Sequence, residues 1–459
     1  MLVDFVKYSK DVPVIKTDVV VVGGGPAGIA AALSSARNGA KTILVERYGF
    51  LGGMATAGLV GPFMTSYSLD GKEQIIKGIF EELVTRMEKQ NGAIHPSKVS
   101  SGTPYSAFLV YAHNHVTPFE SEVLKVVAFE MMEEAGVKLM LHTYFVDVIT
   151  EGSEVKKVIV VNKSGLQAIE AKVVVDCTGD ADVAWASGVP CKKGRDKDGL
   201  MQPVSMFFRI RNVDTEKQKE YIAKHPGERP FSEIVAKAKE KGRFPLARDA
   251  VLTFATPKKG EALVNVSRLH KINGTIADDL TKAEIEGRKQ VMFLLKFFRE
   301  NIPGLENAEL VEVAPQIGIR ETRHIIGEYV MTQEDVLESK EFDDVIGLNS
   351  FAIDIHDPDG PRGRFEGPRN NKYYEIPYRI LVPLKVDNLL VAGRPVSATH
   401  EAAGSLRVMP PAFVTGEAAG AAAALAIKNN TIPRRLDYKK LQSVLASQNV
   451  VLPKRVLER

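Results

Sequence analysis

The stretch Asp18–Glu46, DVVVVGGGPAGIAAALSSARNGAKTILVE, decides the fold. Its opening run is unbroken, apolar and β-branched, the pattern of a parallel strand covered on both faces. Gly23, Gly25 and Gly28 follow at the spacing G-x-G-x-x-G, with Pro26 and Ala27 between the last two. In such a turn the first glycine lets the strand reverse tightly. The second lets backbone N–H groups approach a diphosphate, and the third lets helix and strand close together. The small-residue helix that follows directs its positive N-terminal end at the phosphates. Lys41–Val45 reads as a second strand ending in Glu46, 18 residues past Gly28, where a carboxylate accepts hydrogen bonds from a ribose 2′-hydroxyl. The whole is one βαβ dinucleotide-binding unit.

Outward from this unit, Lys77–Lys89 and Glu120–Gly136 carry helical periodicity. Val137–Leu141, Tyr144–Ile149, Val155–Asn162 and Ala171–Asp176 read as strands, the last running into Cys177, Thr178, Gly179 and Asp180. From Lys192 to Arg379 short apolar runs alternate with charged helices, as in a separate α+β unit. Asp387–Gly393 then returns to the buried-strand pattern, and Pro411–Ile427 is a helix rich in alanine and glycine. The expected architecture is α/β. A discontinuous Rossmann-like domain covers residues 1–191 and 380–459, and an α+β substrate or cap domain covers 192–379.

Composition narrows the function. Among 459 residues, Lys and Arg number 60 against 57 Asp and Glu, a net charge of +3 without the basic excess of a nucleic-acid binder. Two cysteines, Cys177 and Cys191, cannot build a disulfide scaffold and suit a reducing cytoplasm. No apolar stretch reaches the ~18 residues of a spanning helix, and residues 1–16 lack a signal-peptide core. The expectation is a cytoplasmic enzyme without membrane or nucleic-acid partners.

After Glu46 and Arg47 comes Phe50-Leu51-Gly52-Gly53-Met54-Ala55, and here the sequence resembles the FAD-dependent oxidoreductases of the glutathione-reductase-like superfamily, including fumarate-reductase-related flavoproteins. The resemblance implies FAD as cofactor, with Gly52, Gly53 and Met54 running beside its ribityl and phosphate portion. It makes Val173–Asp182 a second fingerprint carrying Thr178, Gly179 and Asp180, and gives Val146 a backbone contact to adenine. Leu389–Ala421 resembles the third fingerprint, implying cofactor contacts at Gly393, Arg394, Arg407 and Met409. The superfamily usually has Asp where this chain has Arg394, which departs from the ribityl-binding pattern. Independently of any family, a helix starting near Met409–Pro411 supplies the positive potential that a reduced flavin ring requires.

With a flavin carrying the redox chemistry, the chain must orient a substrate and manage a proton. His400 is a candidate acid or base, or a hydrogen-bonding fixture of its loop. Arg320, Arg323 and Arg407 are candidates to grip an anionic group, or, for the first two, to pair with Glu321 or Glu328. His356, two residues after Asp354, is a site candidate or a loop residue, and Tyr378 and Arg379 are candidates for a pocket wall. His113 and His115 lack companions for a metal set, so no metal is expected. No C-x-x-C and no second G-x-G-x-x-G appear, which argues against a dithiol reductase with its own nicotinamide domain.

The resulting expectation is hydride transfer between flavin N5 and a small polar substrate bearing a carboxylate or hydroxyl, the electron acceptor being oxygen or another molecule. Two alternatives stand beside it: a C=C reductase of fumarate-reductase type, and a non-catalytic dinucleotide-binding or partner-docking protein.

Overall fold

The computed structural model describes residues 9–99, 115–226, 228–360 and 363–458. A seven-stranded sheet forms the base, its strands running in the order Lys138–Met140, Thr42–Val45, Val14–Val22, Gly165–Asp176, Glu154–Asn162 and Tyr144–Glu151. The seventh, Leu389–Val391, pairs in parallel with the far end of Gly165–Asp176. Val14–Val22 lies parallel to both neighbours, with Val22 opposite Val45 on one side and Asp176 on the other. Alternation explains the four consecutive valines: Val19 and Val21 enter one core and Val20 and Val22 the other, all essentially inaccessible.

The helix Pro26–Arg37 and the C-terminal helix Met409–Lys428 cross in close contact against the sheet. Glycine permits the approach: a Cβ on Gly416 would stand 2.1 Å from the Ala27 carbonyl oxygen, and one on Gly420 equally near that of Ala31. The alanine-rich composition of the C-terminal helix is therefore a helix–helix packing device as well as a helix former.

A second core is built on a four-stranded antiparallel sheet of Glu309–Val313, Phe208–Arg211, Ala262–Val264 and Thr253–Ala255, backed by the long helix Ala277–Asn301. Its residues run from Val204 to Ile319, joined by Leu59, Val99 and Val116. Core membership thus departs from the boundary at residue 379. Residues from Met331 to Val382, including the antiparallel pair Val345–Asn349 and Tyr374–Pro377, pack into the first core beside the C-terminal helix. The physical reason is that fully buried strands such as Val345–Asn349 are covered on both faces, and the alanine-rich helix offers the matching surface.

Candidate functional site

Where the opening strand meets its helix, the three glycines take separate roles. Gly23 has φ +100°, and a Cβ there would lie 2.4 Å from the Cys177 carbonyl oxygen. A Cβ on Gly28 would fall 1.8 Å from the carbonyl oxygen of Gly23, so this residue serves strand–helix packing and does not line the cleft. Gly25 differs. Its φ of −74° suits any residue, and a Cβ would meet nothing nearer than Gly53 Cα at 3.8 Å. The space its missing side chain leaves belongs to a cleft of about 210 Å³.

Gly23, Gly25, Pro26 and Ala27 line that cleft with Glu46 and Arg47 at one side. Gly53 and Met54, the loop Thr178, Gly179 and Asp180, and the C-terminal Gly393, Arg394, Arg407 and Met409 complete it. The helix Pro26–Arg37 begins with no side-chain cap and no acid in its first turn, leaving orphan N–H groups for an anion. Glu46 accepts from the backbone N–H of Gly24 at 2.7 Å and of Tyr48 at 2.9 Å, which fixes its carboxylate at the cleft wall. Burial pushes that carboxyl above its ordinary range against these bonds. Asp176, fully buried, accepts from Thr178 N–H and Oγ1 and from Ala184 N–H, and so shapes the second loop; burial raises it to about 6.

Two of the expected contacts fall outside the cleft. Gly52 takes φ +113° and donates its N–H to the Gly24 carbonyl, holding the turn from behind. Val146 is 48% exposed; Thr143, Tyr144 and Phe145 line the cleft in its place. A register shift between Phe145 and Asp147 explains the offset, because a bulge redirects the side chains along the strand.

A larger cavity of about 780 Å³ opens beside the cleft, and Met54, Arg394, Arg407 and Met409 line both. Arg394 is committed at this junction: its guanidinium donates to the carbonyls of Gly179 and Ile319 and to Asp180 Oδ1 at 2.6 Å. Arg407 donates to the Asp354 carbonyl and to Asp354 Oδ2, while its buried Nε has no hydrogen-bond partner among the described residues. Arg320, 8% exposed, donates to the carbonyl of Pro203, to Ser205 Oγ and to Asn265 Oδ1, all neutral oxygens. Burial first, then the charge of Arg407, drives its ionisation well below the ordinary arginine range.

His356 also faces this cavity. Arg268 donates to its Nδ1 at 2.6 Å, and a guanidinium can only donate, so the imidazole proton sits on Nε2, 3.3 Å from Asp354 Oδ2. Burial holds His356 neutral, its protonation pushed well below neutrality, and the Nε2–H of that ring with the charges of Arg407 and Arg320 holds Asp354 ionised against its own burial.

His400 and Arg323 do not reach either cavity. His400 opens a short helix and turns inward, its Nδ1 2.7 Å from Glu321 Oε1. Glu321, with a wholly inaccessible side chain, also lies 3.5 Å from His324 Nε2 and accepts from Gln202 N–H. The hydrogen bond from His400 and the nearby His324 together outweigh burial and lower it to about 2. Arg323 instead ties its strand to the second loop through the Asp180 carbonyl and Asp182, lying over the Trp185 ring. The i,i+3 spacing that suggested a shared grip with Arg320 sends the two guanidiniums apart because the segment is extended. Tyr378 and Arg379 bond to Pro433 and Asp344, away from the cavity. His113 lies outside the described residues, and His115 stacks on Tyr67 with its Nδ1 on the Pro96 carbonyl. Among the described residues no cluster of His, Cys, Asp and Glu suits a metal, and both cysteines are free.

The sequence reading passed over Arg248, Arg268 and Asn265, which complete the cavity. A signal existed in two of them: Arg248 and Arg268 are lone cations within the apolar runs FPLARDAVL and LVNVSRLH.

A family model described as FAD dependent oxidoreductase matches residues 18–445. The chain belongs to this family. It is an FAD-binding enzyme, and the glycine cleft is where its residues fit the cofactor: Gly25 leaves room for a diphosphate against uncapped N–H groups. The helix Met409–Lys428, likewise without a side-chain cap or first-turn acid, begins at the junction of the two cavities. FAD, when bound, supplies the hydride-accepting or hydride-donating ring.

Among curated relatives, a thiamine thiazole synthase of Aeropyrum pernix is 32% identical over 184 residues, 38% of this chain and 58% of the relative. A digeranylgeranylglycerophospholipid reductase of Methanococcus aeolicus is 24% identical over 38% of this chain and 41% of its own. The flavoenzyme's match thus spans roughly half the length of these relatives. A solved geranylgeranyl bacteriochlorophyll reductase-like protein of Thermoplasma acidophilum aligns over 97% of this chain and 96% of its own, at 15% identity and a TM-score of 0.47. Among the described residues no helix is long and apolar enough to cross a membrane.

Proposed function

We propose that this enzyme transfers hydride between FAD and a carboxylate-bearing small molecule bound in the arginine-lined cavity. The observation that carries the reading is Arg320: a buried guanidinium on the cavity wall, bonded among the described residues only to neutral oxygens, beside an Arg407 that borders both cavities. A buried cation without a carboxylate is costly unless a ligand supplies the counter-charge. In this reading Arg320 and Arg407 hold the carboxylate and turn the reacting carbon toward the shared wall at Met54 and Met409. The neutral His356 keeps its proton on Nε2 for Asp354 and its Nδ1 lone pair for Arg268, and so positions both charges. The apolar wall excludes water from the reacting face.

The test is anaerobic mixing of FAD-loaded protein with 2-hydroxy and 2-amino acids, and of the reduced protein with α,β-unsaturated acids, followed at the visible flavin band. Bleaching in the first series identifies substrate oxidation, and return of the yellow colour in the second identifies C=C reduction. Response only to uncharged compounds, with Arg320→Met leaving half-saturation unchanged, overturns the proposal.

A further inference from the structure

Glu321 has a wholly inaccessible side chain, lines neither cavity and has no part in the carboxylate grip described above. An ionised carboxylate so deep in the protein is costly unless hydrogen bonds offset its lost hydration. Two donors from separate segments do so. The Gln202 N–H reaches Oε2 at 2.9 Å, and His400 Nδ1 lies 2.7 Å from Oε1. A carboxylate only accepts, so the His400 proton sits on Nδ1.

Each of these bonds leads to the wall of the arginine-lined cavity. Residues 202–205 run beside residues 318–321, where Ser205 and Gly318 exchange backbone hydrogen bonds of 3.1 and 2.8 Å. Arg320 donates across the same junction to the Pro203 carbonyl and to Ser205 Oγ, and the Glu321 carboxylate closes it at Gln202. Gln202 also accepts from the His356 N–H at 3.1 Å through its Oε1, which fixes the backbone from which that ring meets Asp354. On the other side, His400 opens the helix His400–Leu406, and Arg407 ends it with its N–H on the Ala403 carbonyl. Seven residues are two turns, so His400 and Arg407 share one helix face about 10 Å apart. Pinning His400 therefore fixes one end of an arm whose other end carries Arg407 to Asp354 Oδ2.

We propose that Glu321 is the positioning residue of the anion grip, a single carboxylate that sets Arg320, His356 and Arg407 in register with one another. The inference rests on the reading of the cavity as a carboxylate site and names the residue that aims its wall. The charge of Glu321 acts in the opposite sense. Burial draws the ionisation of Arg407 down, while Asp354 and then Glu321 oppose that through space. By field alone, a negative group beside the arginines weakens their hold on an anion. Aiming and field thus predict opposite outcomes when the charge is removed.

The test is isothermal titration of the FAD-loaded protein with 2-naphthoate and with 2-naphthamide, its uncharged counterpart. Glu321→Met and Glu321→Gln remove the charge equally, but methionine drops both ties, whereas glutamine keeps an acceptor oxygen for one donor. The expected result is 2-naphthoate binding weakened at least tenfold by Glu321→Met and to a lesser degree by Glu321→Gln, with 2-naphthamide within twofold throughout. Circular dichroism and FAD content verify the fold of each variant. If the methionine variant does not fold, the glutamine variant decides by sign, weaker 2-naphthoate binding supporting the inference. Unchanged or tighter 2-naphthoate binding in a folded variant overturns it, and so does equal weakening of both ligands, which marks damage to the pocket rather than loss of aim. Wild-type protein that binds 2-naphthoate no better than 2-naphthamide overturns the carboxylate reading itself, and the positioning inference falls with it.

Discussion

Replacing Gly25 by alanine separates the needs of the fold from those of the cofactor. The backbone there is ordinary for any residue, and the new methyl would meet only Gly53 Cα, at van der Waals distance. Alanine also lowers the conformational entropy of the unfolded chain, so the FAD-free protein should gain about 0.4–1 kcal/mol. The same methyl projects into the cleft beside the uncapped helix start. Loss of one charge-assisted hydrogen bond to a phosphate costs about 1.5–3 kcal/mol, or roughly 10- to 150-fold in FAD affinity. The two effects oppose each other in a single scan. Calorimetry should show a slightly raised Tm without FAD and a lowered Tm with FAD at fixed concentration, because the linkage stabilisation shrinks. Fluorescence titration of FAD into apoprotein gives the affinity directly. Unaltered FAD affinity in a folded Gly25→Ala protein would refute the reasoning, since the cleft would then not be where the diphosphate lies.

Other perturbations probe other parts of the molecule. Gly28→Ala, whose Cβ would sit 1.8 Å from a carbonyl oxygen, should destabilise the apoprotein by about 3 kcal/mol or more, read as a falling urea midpoint; a shift below 1 kcal/mol contradicts the close strand–helix contact. Gly420→Ala should cost about 1–3 kcal/mol by prising the two central helices apart, without altering FAD affinity in the protein that remains folded. Glu417, buried in the C-terminal helix and accepting from Ile79 N–H, is raised by burial to about 8. The folded state therefore holds a proton that the unfolded chain releases near 4.5, so this contribution is complete below that pH. It is lost as pH rises through about 8, at up to about 1.4 kcal/mol per pH unit. Glu417→Gln should flatten that slope in urea melts between pH 5 and 8, and an unchanged slope assigns it to other groups. Arg320→Met should raise half-saturation for an anionic substrate at least tenfold with FAD content unchanged, as anaerobic titration would report.

The cofactor cleft was legible because its parts are local. Each fingerprint is a strand, a turn and a helix start, and turn geometry dictates glycine at particular spacings. At Val146 the strand turns its side chain to solvent beside a bulge that no pattern announces, and Thr143, Tyr144 and Phe145 line the cleft. Legibility failed differently at the cavity. Arg248, Arg268, Arg320 and Arg407 come from four separated segments, and only tertiary packing gathers them. His400 drew attention by neighbourhood in sequence, yet the helix it opens points it at Glu321. The strands Val345–Asn349 and Tyr374–Pro377 were assigned to the inserted unit because they lie between its ends, whereas burial on both faces drew them to the first core.

Three successive side chains, Arg320, Glu321 and Thr322, face three different surroundings: the arginine-lined cavity, the buried histidines, and Asp180 of the glycine cleft through a 2.8 Å hydrogen bond. A slip of this segment by one position would misplace all three together, so insertions and deletions here should abolish the enzyme rather than retune it.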